Sequence, residues 1–222
     1  MKIKTLTVCT AMALGLMSGS ALANSFDGNI GATSDYLWRG LSQTGGEAAF
    51  SGGIDYSHDS GVYAGTWASN VDFGDDKPTY EIDFYGGYAG EIESISFDAG
   101  YIYYAYPNAD YDGDFGEVYL NLGWNWFGIS TSYGTNAQDD ETYEDAFYIE
   151  GNISYDISPT LSFAVAVGNQ SFDIDGVEDY VNYNASLTKV TDMGDFTFMV
   201  SDTDIDDDDP IVLVSWGYGF SL

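Results

Sequence analysis

The stretch FYIEGNISYDISPTLSFAVAVG, residues 147–168, decides the fold class. Its first half alternates strictly. Phe147, Ile149, Ile153, Tyr155 and Ile157 fall on one side; Tyr148, Glu150, Asn152, Ser154 and Asp156 fall on the other. After Ser158-Pro159 the pattern resumes, with Leu161, Phe163, Val165 and Val167 against Ser162, Ala164, Ala166 and Gly168. Successive side chains of a strand point to opposite faces, so the stretch reads as a β-hairpin with one apolar face. Each arm is about eleven residues long, near the ~9–11 that a tilted strand needs to cross a bilayer. The other face is polar or small, as in the repeating unit of a transmembrane barrel with lipid outside and water inside.

From Phe26 onward period-two segments recur and no helical periodicity competes with them. Candidate strands lie near 26–38, 48–58, 61–72, 79–89, 94–105, 116–125, 126–135, 146–157, 160–169, 179–190, 194–202 and 210–220. The alternation is clean in Tyr80/Ile82/Phe84/Tyr88 against Glu81/Asp83, and poor in 61–72, which is placed by its neighbours. Short turns, at 58–61, 90–93, Trp124 to Phe127, Ser158-Pro159 and 191–194, alternate with longer links at 39–47, 73–78, 106–115, 136–145, 170–178 and 203–209. That rhythm predicts an all-β, antiparallel, up-and-down transmembrane barrel of about twelve strands, with periplasmic turns short and outer loops long. A secreted sandwich also has strands with one apolar face, but its Greek-key links break such a rhythm. A soluble closed barrel of twelve strands would enclose a void that side chains cannot fill. Trp38, Trp67, Tyr101, Tyr103, Trp124, Trp126, Trp216 and Tyr218 fall near strand ends, where interfacial girdles form.

The first residues read as a leader. Lys2 and Lys4 precede the apolar run Val8 to Met17, and Ala21-Leu22-Ala23 offers a cleavage site, so 1–23 is a secretory signal peptide and 24–222 the barrel. Cys9 leaves with the leader, and no disulfide is expected. Without Lys2 and Lys4, Arg39, Lys77 and Lys189 stand against 36 acidic residues. Such a surplus repels phosphate backbones and excludes a nucleic-acid partner. With 45% hydrophobic and 17% aromatic residues the chain is not a disordered acidic segment.

Ser34-Asp35-Tyr36-Leu37-Trp38-Arg39-Gly40-Leu41-Ser42-Gln43-Thr44 resembles the opening motif of the TorF-family porins, also called the Gcw_chp family. Gly52 to Tyr56, followed by Gly61-Val62-Tyr63-Ala64-Gly65-Thr66-Trp67-Ala68-Ser69-Asn70-Val71, resembles its second block. The motif residues are Asp35, Tyr36, Trp38, Arg39, Gly40, Ser42 and Gln43. The resemblance covers the whole chain and implies an outer-membrane, porin-like channel of a Gram-negative bacterium. Its implied partners are lipid, lipopolysaccharide and the barrel-assembly machinery. The chain departs from the usual aromatic terminus of such barrels, since Ser221 and Leu222 follow Phe220.

If the apolar set faces lipid, the opposite set faces the lumen. Candidate pore-lining residues are Asp35, Arg39, Asp55, Glu81, Asp83, Asp98, Glu117, Asn121, Glu150 and Asn152. Carboxylates on the wall of a narrow pore concentrate cations and repel anions. The expected function is passive diffusion of small hydrophilic solutes with a preference for cations. The alternative is a non-conducting barrel or surface protein whose acidic loops bind ions. An open pore would leave space at Gly86, Ala164, Ala166 and Gly168; a structural barrel would bring Tyr85, Tyr104, Tyr119 and Tyr148 together across it. Arg39 reads either as an eyelet residue or, with a slight preference, as an interfacial cation. Asn108 to Asp114 resembles the start of an EF-hand loop, but Tyr119 stands where the closing glutamate belongs. Acidic loops in salty water are the simpler account, and neither metal nor cofactor is assigned. The sole histidine, His58, falls in a short turn, and GxSxG is absent, so the chain is not read as an enzyme.

Overall fold

The computed structural model describes residues 24–74, 78–110, 113–138 and 141–222. The leader at 1–23 lies outside them, as do Lys77, Tyr111, Asp112, Asp139 and Asp140. Twelve strands close into an antiparallel barrel: β1 (Ser25–Thr33), β4 (Ala49–Ser57), β5 (Val62–Asn70), β6 (Tyr80–Ile92), β7 (Ile95–Ala105), β8 (Phe115–Trp124), β9 (Phe127–Ala137), β10 (Phe147–Ser158), β11 (Leu161–Ser171), β12 (Tyr180–Thr191), β13 (Gly194–Thr203) and β14 (Ile211–Ser221). Two further strands of two residues, β2 (Leu37–Trp38) and β3 (Leu41–Ser42), form a separate small hairpin. Each barrel strand pairs with its neighbours in the chain, and β1 closes the ring against β14, from Asp27 opposite Ser221 to Thr33 opposite Ser215. Closure leaves no strand edge without a hydrogen-bonding partner, which the bilayer interior requires.

The expected alternation of five short turns and six long links holds throughout. β6 runs on to Ile92, so its turn is Glu93-Ser94 rather than 90–93. Residues 26–38 are not one strand. β1 stops at Thr33, and the chain turns inward from Ser34.

The alternation sorts the two faces. Phe147, Ile149, Ile153, Tyr155 and Ile157 are all exposed on the outer wall, as are Phe26, Ile30, Phe50, Ile54, Phe84, Leu120, Leu122, Ile129, Phe163, Val167, Leu187, Phe198, Val212 and Val214. An apolar band of this size on a closed barrel is a lipid-facing surface. In β5 the pattern is inverted in size: Ala64, Thr66 and Ala68 face out, while Tyr63, Trp67 and Ser69 face in. Trp67, only 3% exposed, is therefore a lumenal side chain, and so is Trp38 in the inward hairpin. Neither belongs to a girdle. Trp124, Trp126 and Tyr218 do face outward. Gly86 shares the outer face of β6 with Phe84 and Tyr88, so it cannot open the lumen; Ala164, Ala166 and Gly168 point inward as expected.

Candidate functional site

Local chemistry builds the inward hairpin. Arg39 and Gly40 both adopt positive φ, 50° and 88°, between the paired residues Leu37–Ser42 and Trp38–Leu41. Two such residues make the two-residue turn of an I′ hairpin, and glycine carries the second position without steric cost. Asp35 Oδ1 fixes the base of the hairpin, accepting from Ser42 Oγ (2.6 Å) and Thr44 Oγ1 (3.1 Å). The Gln43 amide donates to the Tyr36 carbonyl at 2.6 Å, and the Asp72 amide donates to the Gln43 carbonyl, tying the hairpin to the link after β5. The opening motif thus encodes a folded plug: Asp35, Ser42 and Gln43 close it, Gly40 turns it, and Tyr36, Trp38 and Arg39 reach into the lumen.

At the tip, Arg39 links two strands of the wall from inside the barrel. Its Nη2 donates to Glu117 Oε2 on β8 at 2.6 Å and its Nη1 to Gln170 Oε1 on β11 at 2.7 Å. The guanidinium lies 4.1 Å from the Trp38 ring centroid and 4.4 Å from that of Tyr148, a stacked cation–π arrangement. Burial works most strongly against the Arg39 charge, but Glu117 together with Tyr104 and Tyr148 outweighs it and holds the guanidinium pKa above its usual value. Arg39 thus lies buried inside the barrel, paired with a lumenal carboxylate, and is not an interfacial cation. The backbone at Gly40 packs so closely on the wall that an added Cβ would stand 2.8 Å from Asn182 Cβ and 3.0 Å from Thr203 Cγ2.

Beside the tip, Tyr36 Oη and Tyr106 Oη each donate to one oxygen of Glu81 at 2.6 Å. Burial first, and the Glu81 charge second, push both phenols well above their ordinary pKa, so both remain donors. Trp38 meets Tyr104, Phe115 and Tyr143 edge-on at 5.2–6.0 Å, and Tyr36 meets Trp67 at 5.5 Å. These contacts fill one sector of the lumen near the long-loop end. Glu117, Glu81 and Gln170 are buried there almost completely.

Toward the short turns the wall changes character. Asp55 accepts from Asn29 Nδ2 (3.2 Å) and from Tyr85 Oη; Asp98 accepts from Tyr63 Oη (2.5 Å) and Asn121 Nδ2 (3.4 Å). Tyr85, Tyr104 and Tyr119 belong to one buried cluster with Tyr36 and Trp67, and Tyr148 stacks on the Arg39 guanidinium near the long-loop end. Tyrosines also cover inward glycines of neighbouring strands: Tyr85 covers Gly65, Tyr148 covers Gly168, and Tyr63 and Tyr119 touch above the Gly87–Gly100 pair. A ring laid over glycine restores the packing that glycine lacks. Gly168→Ala is expected to lever Tyr148 off the wall at an overpacking cost of about 1–3 kcal/mol, measurable as a lower melting temperature in detergent. On β14, Gly217 faces inward with no heavy atom within 4 Å of a notional Cβ.

All ten residues expected to line the lumen point into the barrel. Asp35, Arg39, Glu81, Asp83, Asp98, Glu117 and Glu150 are buried there, while Asp55, Asn121 and Asn152 are half-buried. Asn182, on the polar side of the 179–190 alternation, packs against the hairpin, and Gln170, Tyr106 and Tyr143, which the alternation did not single out, complete the contact around it. Gln170 does sit at an inward period-two position, which is the signal that could have found it. In the EF-hand-like stretch, Asp114 accepts from the Tyr106 amide (2.7 Å) and Tyr103 Oη (3.0 Å), so it caps the loop. Among the described residues no group of three or more His, Cys, Asp or Glu is placed to hold a metal ion.

Residues 18–217 match the model of a family described as bacterial proteins of unknown function, Gcw_chp. The chain belongs to that family. The hairpin formed by its opening motif is thus a structural element of this Gcw_chp chain. Solved porins share the fold. A KdgM porin aligns with a TM-score of 0.56 and 11% identity, covering 89% of this chain and 99% of its own. A KdgM porin in complex with disordered oligogalacturonate aligns equally well. A NanC porin aligns with a TM-score of 0.53 and 14% identity over 89% and 98% of the two chains. At these identities the likeness is one of fold. No curated protein matches the chain in sequence.

Proposed function

We propose that this protein is an outer-membrane diffusion channel of the porin kind. Its aperture is set by the inward hairpin of residues 34–48, and its lumen favours small hydrophilic cations. The observation that carries this reading is the sorting of faces on a closed twelve-stranded barrel: apolar outside, and Asp27, Asp55, Glu81, Asp83, Asp98, Glu117 and Glu150 inside. Twelve strands enclose more space than wall side chains fill. The tyrosine-over-glycine packing supports an open short-turn half, and the Arg39 bridge supports a constriction near the other end. The TorF-type porin reading of the opening motif belongs to this proposal, as do delivery by the barrel-assembly machinery and contact of the outer loops with lipopolysaccharide.

Charge sets the solute class. The KdgM porin was solved with oligogalacturonate, a polyanion. Here the one lumenal cation among the described residues, Arg39, is engaged by Glu117 and sandwiched by two rings. A polyanion would meet carboxylates and no free guanidinium, whereas a cation is drawn in. The protein refolded into a planar bilayer under a KCl gradient is expected to show discrete openings with a reversal potential on the cation-selective side. An anion-selective potential would overturn the preference. Silence from an inserted barrel would favour the non-conducting reading, which the nearly complete burial of Glu81, Glu117 and Gln170 supports.

A further inference from the structure

Asp83 is the one inward carboxylate near the hairpin that lacks compensation. It is 4% exposed, and its Oδ1 has no hydrogen-bond partner among the described residues. Its neighbours in register are Trp67 on β5 and Tyr104 on β7, both buried. Glu81 lies two residues away on the same inward face of β6, and both its oxygens are already taken by Tyr36 and Tyr106. Glu117 also has a free oxygen, but Arg39 neutralises that carboxylate. A buried, unpaired carboxylate oxygen is costly in a low-dielectric setting unless a counter-charge joins it.

We propose that Asp83, with Glu81 beside it, binds a partly dehydrated monovalent cation, Na⁺ or K⁺, below the hairpin. Asp83 is 4% exposed, so an ion there sheds much of its hydration water, which a monovalent ion does far more readily than the strongly hydrated Mg²⁺. The Trp67 and Tyr104 rings flanking Asp83 add a surface that attracts cations. The site deepens the channel reading, on which its part in permeation rests: it is the point where a permeating cation exchanges hydration water for carboxylate oxygen.

The test is thermal unfolding of the full barrel in detergent, in NaCl or KCl against N-methylglucamine chloride at matched ionic strength. The organic cation is too large to dehydrate into the site, and equal ionic strength cancels screening of the acidic loops. A ligand that binds only the folded state raises its melting temperature by mass action. The wild type is expected to melt several degrees higher in the alkali salts, and Asp83→Asn to lose that difference. No difference in the wild type overturns the proposal. A difference that survives in Asp83→Asn overturns it as well, since the effect then arises elsewhere. Should Asp83→Asn fail to fold, Glu81→Gln serves in its place and is expected to shrink the difference. A barrel silent in bilayers that still shows the melting difference keeps the site and rejects the channel.

Discussion

Arg39→Ala is expected to raise single-channel conductance several-fold and to destabilise the barrel at the same time. The guanidinium is the tip of the hairpin and its link to both β8 and β11. Removing it takes away the side chain that crosses the lumen and the anchor that holds the hairpin there. It also strands Glu117, 1% exposed, without its cation. Breaking a buried pair from one side costs about 3–5 kcal/mol, and the barrel can relieve that cost by releasing the hairpin and admitting water. The two effects separate in the double variant. Arg39→Ala with Glu117→Gln is expected to regain much of the lost melting temperature while remaining wide, because the neutral amide no longer demands a counter-charge. Unchanged conductance in Arg39→Ala would place the aperture elsewhere.

The second large effect lies on the other face of the wall. Ile153 sits mid-strand on β10, outward and exposed, between Val165 and Phe127 on its neighbours. Arginine at the midplane of a barrel's lipid face costs about 2–4 kcal/mol. Ile153→Arg is therefore expected to cut the fraction that folds into vesicles, read as loss of the heat-modifiable band. Asn152→Arg, one residue away, points into the lumen and is expected to fold normally and to weaken cation preference. Two adjacent substitutions with opposite outcomes test the facing of β10. In a sandwich the inward face is the apolar one, and both residues would be judged by burial alone.

Most of the barrel was legible before any coordinate. Alternation at Phe147 to Gly168 and its repeats placed twelve strands within a few residues, because one strand face meets lipid and the other water, and no other pattern satisfies both. β5 shows the limit of that logic. Beyond Val62 its outer face is Ala64, Thr66 and Ala68, too small to register as apolar, while Trp67 turns inward to meet Tyr36. Periodicity reads contrast between faces, and where the lumen is filled by aromatic residues the contrast reverses.

The sequence by itself determined the fold class, a count of about twelve strands, the facing of Asp55, Glu81, Glu117 and Glu150, and the surplus of acid over base. Each follows from a local rule: period two, turn spacing or charge count. Only the tertiary structure decided what the opening motif does. Arg39 reaches Gln170 across 131 positions of chain and Glu117 across 78, and no local rule couples residues so distant. The same holds for the inward tyrosines: strand neighbours set by closure of the ring bring Tyr85, Tyr104 and Tyr119 into one cluster with Trp67, and give Tyr63, Tyr85, Tyr119 and Tyr148 a glycine to lie on.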